Sequence, residues 1–357
     1  MVREGVRPSQ MSAATKTALI AKLSPQSCIV VETTSNAKTN GAALIAAYTA
    51  AKALTPNGEE LSATNRACVI IPPGNYDLDH GEDDACVPLT LDTEFVDIIG
   101  LTTDRSLQQI YGTPEATNSG VIVQTADDVH VSNLYVKILT EVESANWDDT
   151  DSAAYFPSTS LSNTVVDNCQ FDGQDGSNDE GPRLFSMRLY IEYSGTFNNC
   201  TGGNFAFGGA GGTASGTFTN CTGGGDAFGG GGTASGTFTN CTGGDYSFGG
   251  GTASGTFTNC TGGDYSFGGG GGTASGTFTN CTGGGNAFGG DSGTASGTFT
   301  NCTGGDYSFG GAGGTLSGQL YYCRLTTGSF QTLAEGGKLR ACVNGSDTFI
   351  DTLDYEG

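Results

Sequence analysis

From Gly195 to Gly318 one unit returns every 19 to 21 residues, and its copies read close to G-T-F-T-N-C-T-G-G-D-Y-S-F-G-G-G-T-A-S. It starts at Gly195, Gly216, Gly236, Gly255, Gly276 and Gly297, with degenerate copies at Gly318 (GQLYYCRLTTGSF) and Gly337 (GKLRACVNGSDTF). Self-similarity at this period marks a solenoid, in which each turn buries its apolar side only against its neighbours. Helical repeats are excluded, because each glycine inside a helix costs about 1 kcal/mol. The leucine spacing of a leucine-rich repeat is missing. What remains is an all-β solenoid of short strands joined by tight turns, and the fold we expect is a right-handed parallel β-helix with coils of about 20 residues.

The local chemistry fits a coil. In Thr217-Phe218-Thr219 successive side chains alternate faces, so Phe218 points in while both threonines point out. Asn220 suits a sharp corner, since Asn tolerates the left-handed conformation. Cys221 then faces in again, Gly223 and Gly224 make a second corner, Phe228 points in from a third strand, and Gly229 to Gly232 turn once more. Stacking gives two Phe ladders and one Cys ladder. Coil length varies only in the glycine runs, where insertions cost little. Eight coils at about 4.8 Å each would run about 38 Å. The last two copies lose glycine and gain Leu, Tyr, Arg and Lys, as a C-terminal cap should.

Of 12 cysteines, Cys200, Cys221, Cys241, Cys260, Cys281, Cys302, Cys323 and Cys342 recur once per unit. Stacked coils bring such residues to about 4.8 Å, near the short end of disulfide Cα separations. Free thiols fill an inward column equally well as small hydrophobes. We favour stacked thiols over bridges between rungs. No Cys/His cluster has zinc spacing, and no metal or cofactor is expected.

Charge narrows the partners. Lys and Arg number 14 against 37 Asp and Glu, and no Lys or Arg lies between Leu189 and Cys323. Nucleic acid needs clustered basic residues, so this balance argues strongly against it, and it also disfavours an anionic membrane surface. The N-terminus, MVREGVRPSQMSAATKTALIAKL, has no apolar run of signal-peptide length, and no segment has the roughly 20 apolar residues of a membrane span. A fibre-like composition without an export signal fits a protein made in a cytoplasm and released by lysis in a virus particle.

The first half is less regular. A short helix is expected from Ser12 to Leu23, and a second from Gly41 to Leu54, capped by Thr39 or Asn40. The strand Cys68-Val69-Ile70-Ile71 follows, then Pro72-Pro73-Gly74-Asn75-Tyr76. The helix N-G-A-A-L-I-A-A, a loop, and V-I-I-P-P-G-N-Y-D-L resemble the entry to pectate-lyase-like β-helix proteins, including bacteriophage tailspikes. In that family the helix covers the N-terminal end of the solenoid. The resemblance covers about residues 36–357 and implies fold more than chemistry, because this superfold hosts lyases, hydrolases and pure scaffolds. Further coils fit Phe95–Gly100, Gly120–Val123, Val129–Val136 and Thr164–Phe171. The polar stretches Glu141–Thr159 and Asp172–Pro182 are the expected projecting loops.

A lyase of this family would need calcium-binding Asp and a basic residue on one strand face, and neither Arg183 nor Arg188 has that setting in the sequence. A glycosidase needs two carboxylates, and Asp148, Asp149 and Asp151 beside Trp147 are the best candidates; a solvated acidic loop is the reading we favour. Asp172, Asp175, Asp179 and Glu180 are read the same way. Asp245, Asp264 and Asp306 are turn residues rather than calcium ligands, since the calcium-binding repeat has a period of nine. His80 and His130 are surface or satisfied strand residues. The Thr-x-Thr pairs from Thr217/Thr219 to Thr298/Thr300 resemble the ice-contacting face of β-solenoid antifreeze proteins, although Thr is also a good strand residue.

Together these observations lead to an expected organisation and role. Residues 1–35 form an attachment segment, 36–194 the cap helix and irregular coils, 195–317 the regular repeats, and 318–357 the closing coils. By the family resemblance, the chain is a homotrimeric tailspike, fibre or capsid-decorating spike of a tailed phage. Its N-terminus would bind other virion proteins. The position held by Asp226, Tyr246, Tyr265, Asn286 and Tyr307 faces out, and Tyr246, Tyr265 and Tyr307 are the expected contacts to host polysaccharide. The competing readings are a polysaccharide depolymerase on the same fold, and an ice-binding or matrix solenoid.

Overall fold

Successive Thr-Phe-Thr segments pair in parallel and in register, Thr217 opposite Thr237, then Thr256, Thr277 and Thr298. The computed structural model describes residues 27–82, 85–114, 119–139, 152–157, 163–172, 185–187, 192–204, 206–208, 211–311, 313–330 and 333–354. The first face of each coil joins one sheet of 16 strands that runs from Cys28–Val30 to the closing hairpin and there also takes in the second-face strands Thr303–Gly304 and Arg324–Leu325. The second face starts as Gly74–Asp77, Gln108–Gly112, Tyr135–Ile138, Gln170–Asp172 and Thr201–Gly202. It continues through single parallel bridges at Thr222, Thr242, Thr261, Thr282 and Thr303. The last stretch of each coil forms two further sheets, one of four strands and one of seven. The chain is a parallel β-helix of coils of about 20 residues, with a helix at its N-terminal end.

The interior follows from the register. Phe197, Phe218, Phe238, Phe257, Phe278 and Phe299 stack with ring centroids 4.8–5.0 Å apart. Phe207, Phe228, Phe248, Phe267, Phe288 and Phe309 make a second column at 4.7–4.9 Å. The two columns meet edge to face, which suits the ring quadrupoles. Every one of these rings is fully buried.

One expectation changes here. The Ala-Phe and Ser-Phe stretch is not a third strand. Phe228 and its equivalents have φ between +52° and +58° and lie in a turn. The strand is the Thr-Ala pair that follows, as at Thr233–Ala234 and Thr252–Ala253. A left-handed residue throws the ring inward without extended backbone, and Gly229 at φ +83° then reverses the chain. A Cβ at Gly229 would lie 2.3 Å from Thr233 O, so no other residue fits.

The cysteines from Cys169 to Cys342 are buried and free, as favoured above. Each thiol finds a carbonyl in the coil before it, as Cys221 Sγ does at Phe197 O (3.2 Å) and Cys241 Sγ at Phe218 O (3.4 Å). Burial, and then the neighbouring Cys200, hold the Cys169 thiol well above its usual range. One disulfide lies outside that column, joining Cys28 to Cys68 on adjacent in-register strands.

At the N-terminal end, helix α1 (Ala37–Ala51) begins earlier than expected. Asn36 rather than Thr39 or Asn40 is the cap, its Oδ1 accepting from Thr39 N at 3.0 Å. Asn40 is buried instead and donates to Asn75 O at 3.0 Å, tying the helix to the second face. Tyr48 OH accepts the backbone N–H groups of Asp92 (2.9 Å) and Thr93 (3.2 Å). Leu44, Ala47, Tyr48 and Ala51 close the core there. At the other end Lys338–Val343 is followed by Phe349–Asp354, which turns back antiparallel along it. The expected loop Glu141–Thr159 is also partly strand, because Ser152–Pro157 pairs with Ser119–Gln124. The expected helix Ser12–Leu23 lies outside the described residues.

The first corner is an asparagine column. Asn199, Asn220, Asn240, Asn259, Asn280 and Asn301 all have φ between +52° and +54°. From Asn220 onward each Nδ2 donates to the Oδ1 of the Asn one coil earlier, at 2.9–3.1 Å, and Asn199 Nδ2 starts the column on Asp167 Oδ1 at 3.3 Å. Replacing Asn240 by Ala removes both amide links and leaves a methyl group in the left-handed region, at an expected cost of about 2–4 kcal/mol. Asn240→Gly relieves the backbone and should cost about 1–2 kcal/mol. Guanidinium midpoints measure both; equal losses would mean that the left-handed corner is not the constraint.

Candidate functional site

Between the second face and the Thr-Ala strands, a second left-handed corner faces solvent. Asp226, Tyr246, Tyr265, Asn286 and Tyr307 occupy it with φ between +52° and +56°. The backbone N–H groups of Asp226, Tyr246, Tyr265 and Asn286 still carry the coil-to-coil ladder, Tyr246 N to Asp264 O and Tyr265 N to Gly285 O both at 2.8 Å. The expectation that this position points outward holds: Tyr246 is 46% exposed, Tyr307 is 55% exposed, and Tyr265 is half-buried. Tyr246 and Tyr265 stack with centroids 4.9 Å apart.

Asp and Asn are residues that take the left-handed region readily, and coils two and five use them. Tyr does not, and the region costs an ordinary L-residue roughly 1–2 kcal/mol. The buried Phe residues offset that cost by packing. Tyr246 and Tyr307 cannot, because about half of each ring meets water. Strain kept at an exposed aromatic residue points to a surface role.

The neighbouring residues support the tyrosines. Asp245 Oδ1 accepts from Asp264 N (2.8 Å), and Asp264 Oδ1 from Gly285 N (2.6 Å), so these exposed carboxylates tie one turn to the next. Wherever the corner is Tyr the next residue is Ser, and wherever it is Asp or Asn the next is Ala. Ser247 Oγ donates to Gly244 O (2.6 Å) and Ser266 Oγ to Gly263 O (2.8 Å), bracing the turn from inside. Ser308 Oγ instead reaches Gly284 O in the coil before (3.2 Å). The sequence reading missed these serines, although their covariation with Tyr was in the repeat. The Tyr246 hydroxyl is held above its usual range by partial desolvation, then by Tyr265 and the charges of Asp226, Asp245 and Asp264. The corner offers ring faces, hydroxyl donors and carboxylate acceptors in a line.

The other candidates fall apart or fall elsewhere. Trp147, Asp148, Asp149 and Asp151 lie outside the described residues, as do Asp175, Asp179, Glu180, Arg183 and Arg188. Asp172 is on a second-face strand, accepting from Tyr135 OH at 2.7 Å. His130 donates its backbone N–H to Asp97 Oδ1 (3.0 Å), and Asp97 is itself held by Arg66 in a two-point pair. His80 Nδ1 sits 3.3 Å from Asp77 O, a local contact. Among the described residues no three His, Cys, Asp or Glu side chains group as metal ligands. On the first face, Thr217, Thr237, Thr256 and Thr277 are exposed and in register, with the second Thr of each pair half-buried.

Fold and corner together define a parallel β-helix protein with an outward aromatic column. No protein-family model matches the chain, and none of the curated proteins matches it by sequence. Among solved structures it is similar to pectin methylesterase PemA from Erwinia chrysanthemi, at 11% identity and a TM-score of 0.36, over 79% of this chain and 80% of that one. A pectin methylesterase in complex with a hexasaccharide matches at 12% identity and a TM-score of 0.31, over 69% and 72% of the two chains. Likenesses of this degree do not carry an activity from one chain to another.

The left-handed backbone at Tyr307 has a stability consequence. Tyr307 has Asn286 rather than a tyrosine in the coil before it, so Tyr307→Asn removes the strain without breaking a stacked pair. It should raise the unfolding free energy by about 0.5–1.5 kcal/mol, read from a denaturant midpoint. A loss of stability would show that the ring is held for packing.

Proposed function

We propose that this chain is a rigid, non-catalytic projection that contacts a polysaccharide-bearing surface through Tyr246, Tyr265 and Tyr307. The observation that carries the reading is the exposed, left-handed tyrosine column, strained where Asp or Asn would sit more easily. In-register stacking makes the solenoid stiff, so its corner residues are presented in fixed order along a line. Aromatic faces suit the apolar faces of sugar rings, and the adjacent carboxylates can accept from their hydroxyls.

The setting we propose is the particle of a tailed phage, as a homotrimeric tailspike, fibre or capsid-decorating spike attached through residues 1–35. The helix α1 over the first coils and the V-I-I-P-P-G-N-Y-D-L entry support that setting by their resemblance to tailspikes. A second reading has one specific observation behind it. The in-register Thr column on the first face is a regular hydroxyl surface of the kind that contacts ice.

The test is retention of the full chain on a panel of immobilised bacterial surface polysaccharides, against the triple variant Tyr246→Ala, Tyr265→Ala, Tyr307→Ala. The wild type should be retained reversibly and the variant lost from the matrix, with the far-ultraviolet circular dichroism unchanged. Retention by the variant equal to that of the wild type contradicts the corner as the contact. Shortened polysaccharide chains would establish the depolymerase instead, and depression of freezing by both proteins would establish the threonine face.

A further inference from the structure

The outer side of the second face carries two more columns, in the coils that precede the regular repeats. The register stacks Asp77, Tyr111, Lys137 and Asp172 in one, and Asn75, Gln109, Tyr135 and Gln170 in the next. Beneath them Tyr76, Ile110, Val136 and Phe171 are fully buried, so the columns stand on a fixed floor.

Lys137 and Asp172 are direct neighbours on adjacent strands, where opposite charges normally pair. Here they do not: no ion pair within 4.0 Å includes Lys137 among the described residues. The ammonium lies 5.4 Å from the Tyr111 ring centroid and 5.6 Å from that of Tyr135, with one long hydrogen bond to Gln109 Oε1 at 3.4 Å. Asp172 turns the other way, its Oδ2 taking the Tyr135 hydroxyl at 2.7 Å and Gln170 Nε2 at 3.5 Å. Burial, and then that hydrogen bond and the carboxylate charge, push the Tyr135 hydroxyl up to about 12, so it stays a donor fixed on Asp172. Tyr135, Lys137, Ile138, Leu139 and Asp172 line a cleft of about 230 Å³.

The cleft therefore sets an ammonium with N–H groups to spare beside a carboxylate with acceptor capacity to spare, against an apolar wall of Ile138 and Leu139. An anion would satisfy Lys137 but meet Asp172 in a chain of formal charge −23, and a cation would meet Lys137. A ring with adjacent hydroxyls and an apolar C–H face satisfies both groups and the wall. The volume suits one such ring rather than a chain of them.

We propose that this cleft binds a single neutral, hydroxylated sugar ring, with adjacent hydroxyls accepting from Lys137 Nζ and donating to Asp172. It is separate from the tyrosine corner, which begins at Asp226, and it stands whether or not that corner binds anything. The experiment is saturation-transfer NMR on the full chain with glucose, galactose and N-acetylglucosamine, and with glucuronate and glucosamine as charged controls. At least one neutral sugar should bind more tightly than its charged counterpart. Lys137→Met and Asp172→Asn should each weaken it about tenfold or more, while Glu60→Gln, at an exposed position away from both the cleft and the tyrosine corner, leaves it unchanged. Unchanged denaturation midpoints show that both cleft variants are folded. The proposal is overturned if no neutral sugar binds, if both cleft variants bind as the wild type does, or if glucuronate binds best and only Lys137→Met abolishes it.

Discussion

The asparagine corner sets the geometry that every other column inherits. A left-handed residue at the same place in each coil turns the chain sharply, and only Asn can both accept that backbone and pass an amide hydrogen bond to the coils above and below. Once the corner is fixed, Phe218 and Cys221, on either side of Asn220, have no choice of face. The parallel register locks each to its equivalents one coil away, and a slip by one residue would turn the phenylalanines out. The thiols and rings are thus consequences of the corner as much as contributors to stability. Where the column ends, Tyr322 and Ala341 keep the left-handed backbone without the amide, and the chain closes with an antiparallel strand.

A solenoid held in this way fixes the backbone of its outer corner and leaves the choice of side chain there open. That freedom is why the outer corner can alternate Asp, Tyr, Asn and Tyr without changing the coil, and why coil length can vary in the glycine runs. It also makes the exposed tyrosines informative. At an inward position a left-handed aromatic residue is explained by packing, whereas at an outward one it needs another reason. The serine that follows each tyrosine, and only the tyrosines, shows the turn adjusted around the ring. The cleft at Lys137 follows the same logic on another face, where opposite charges in register are held apart.

Much of this was legible in the sequence. The period, the inward Phe and Cys, the left-handed Asn and the outward tyrosine position all follow from local rules that agree with one another, which is the condition for reading a fold from its sequence. The Ala-Phe stretch was misread because alternation cannot tell a strand from two left-handed residues placed two apart, and both put the ring inward. The α1 cap was misplaced because Asn36, Thr39 and Asn40 all carry capping side chains, and tertiary contact with Asn75 decides which of them is buried. The cleft was not legible, since Tyr135 and Asp172 are 37 residues apart and meet only through a register fixed elsewhere. Nor was the Cys28–Cys68 pair, whose strands are brought together by the first coil.

If the ladders in register carry the fold, coils are interchangeable units, and one can be removed whole. The most direct measurement is therefore equilibrium unfolding of the chain with residues 236–254 excised, which joins Ser235 to Gly255 and deletes one complete repeat. The account predicts a folded protein with a single cooperative transition, the same circular dichroism per residue, and cysteine thiols as resistant to modification as in the parent. A chain that fails to fold, or that folds with its ladder thiols open to reagent, would contradict it.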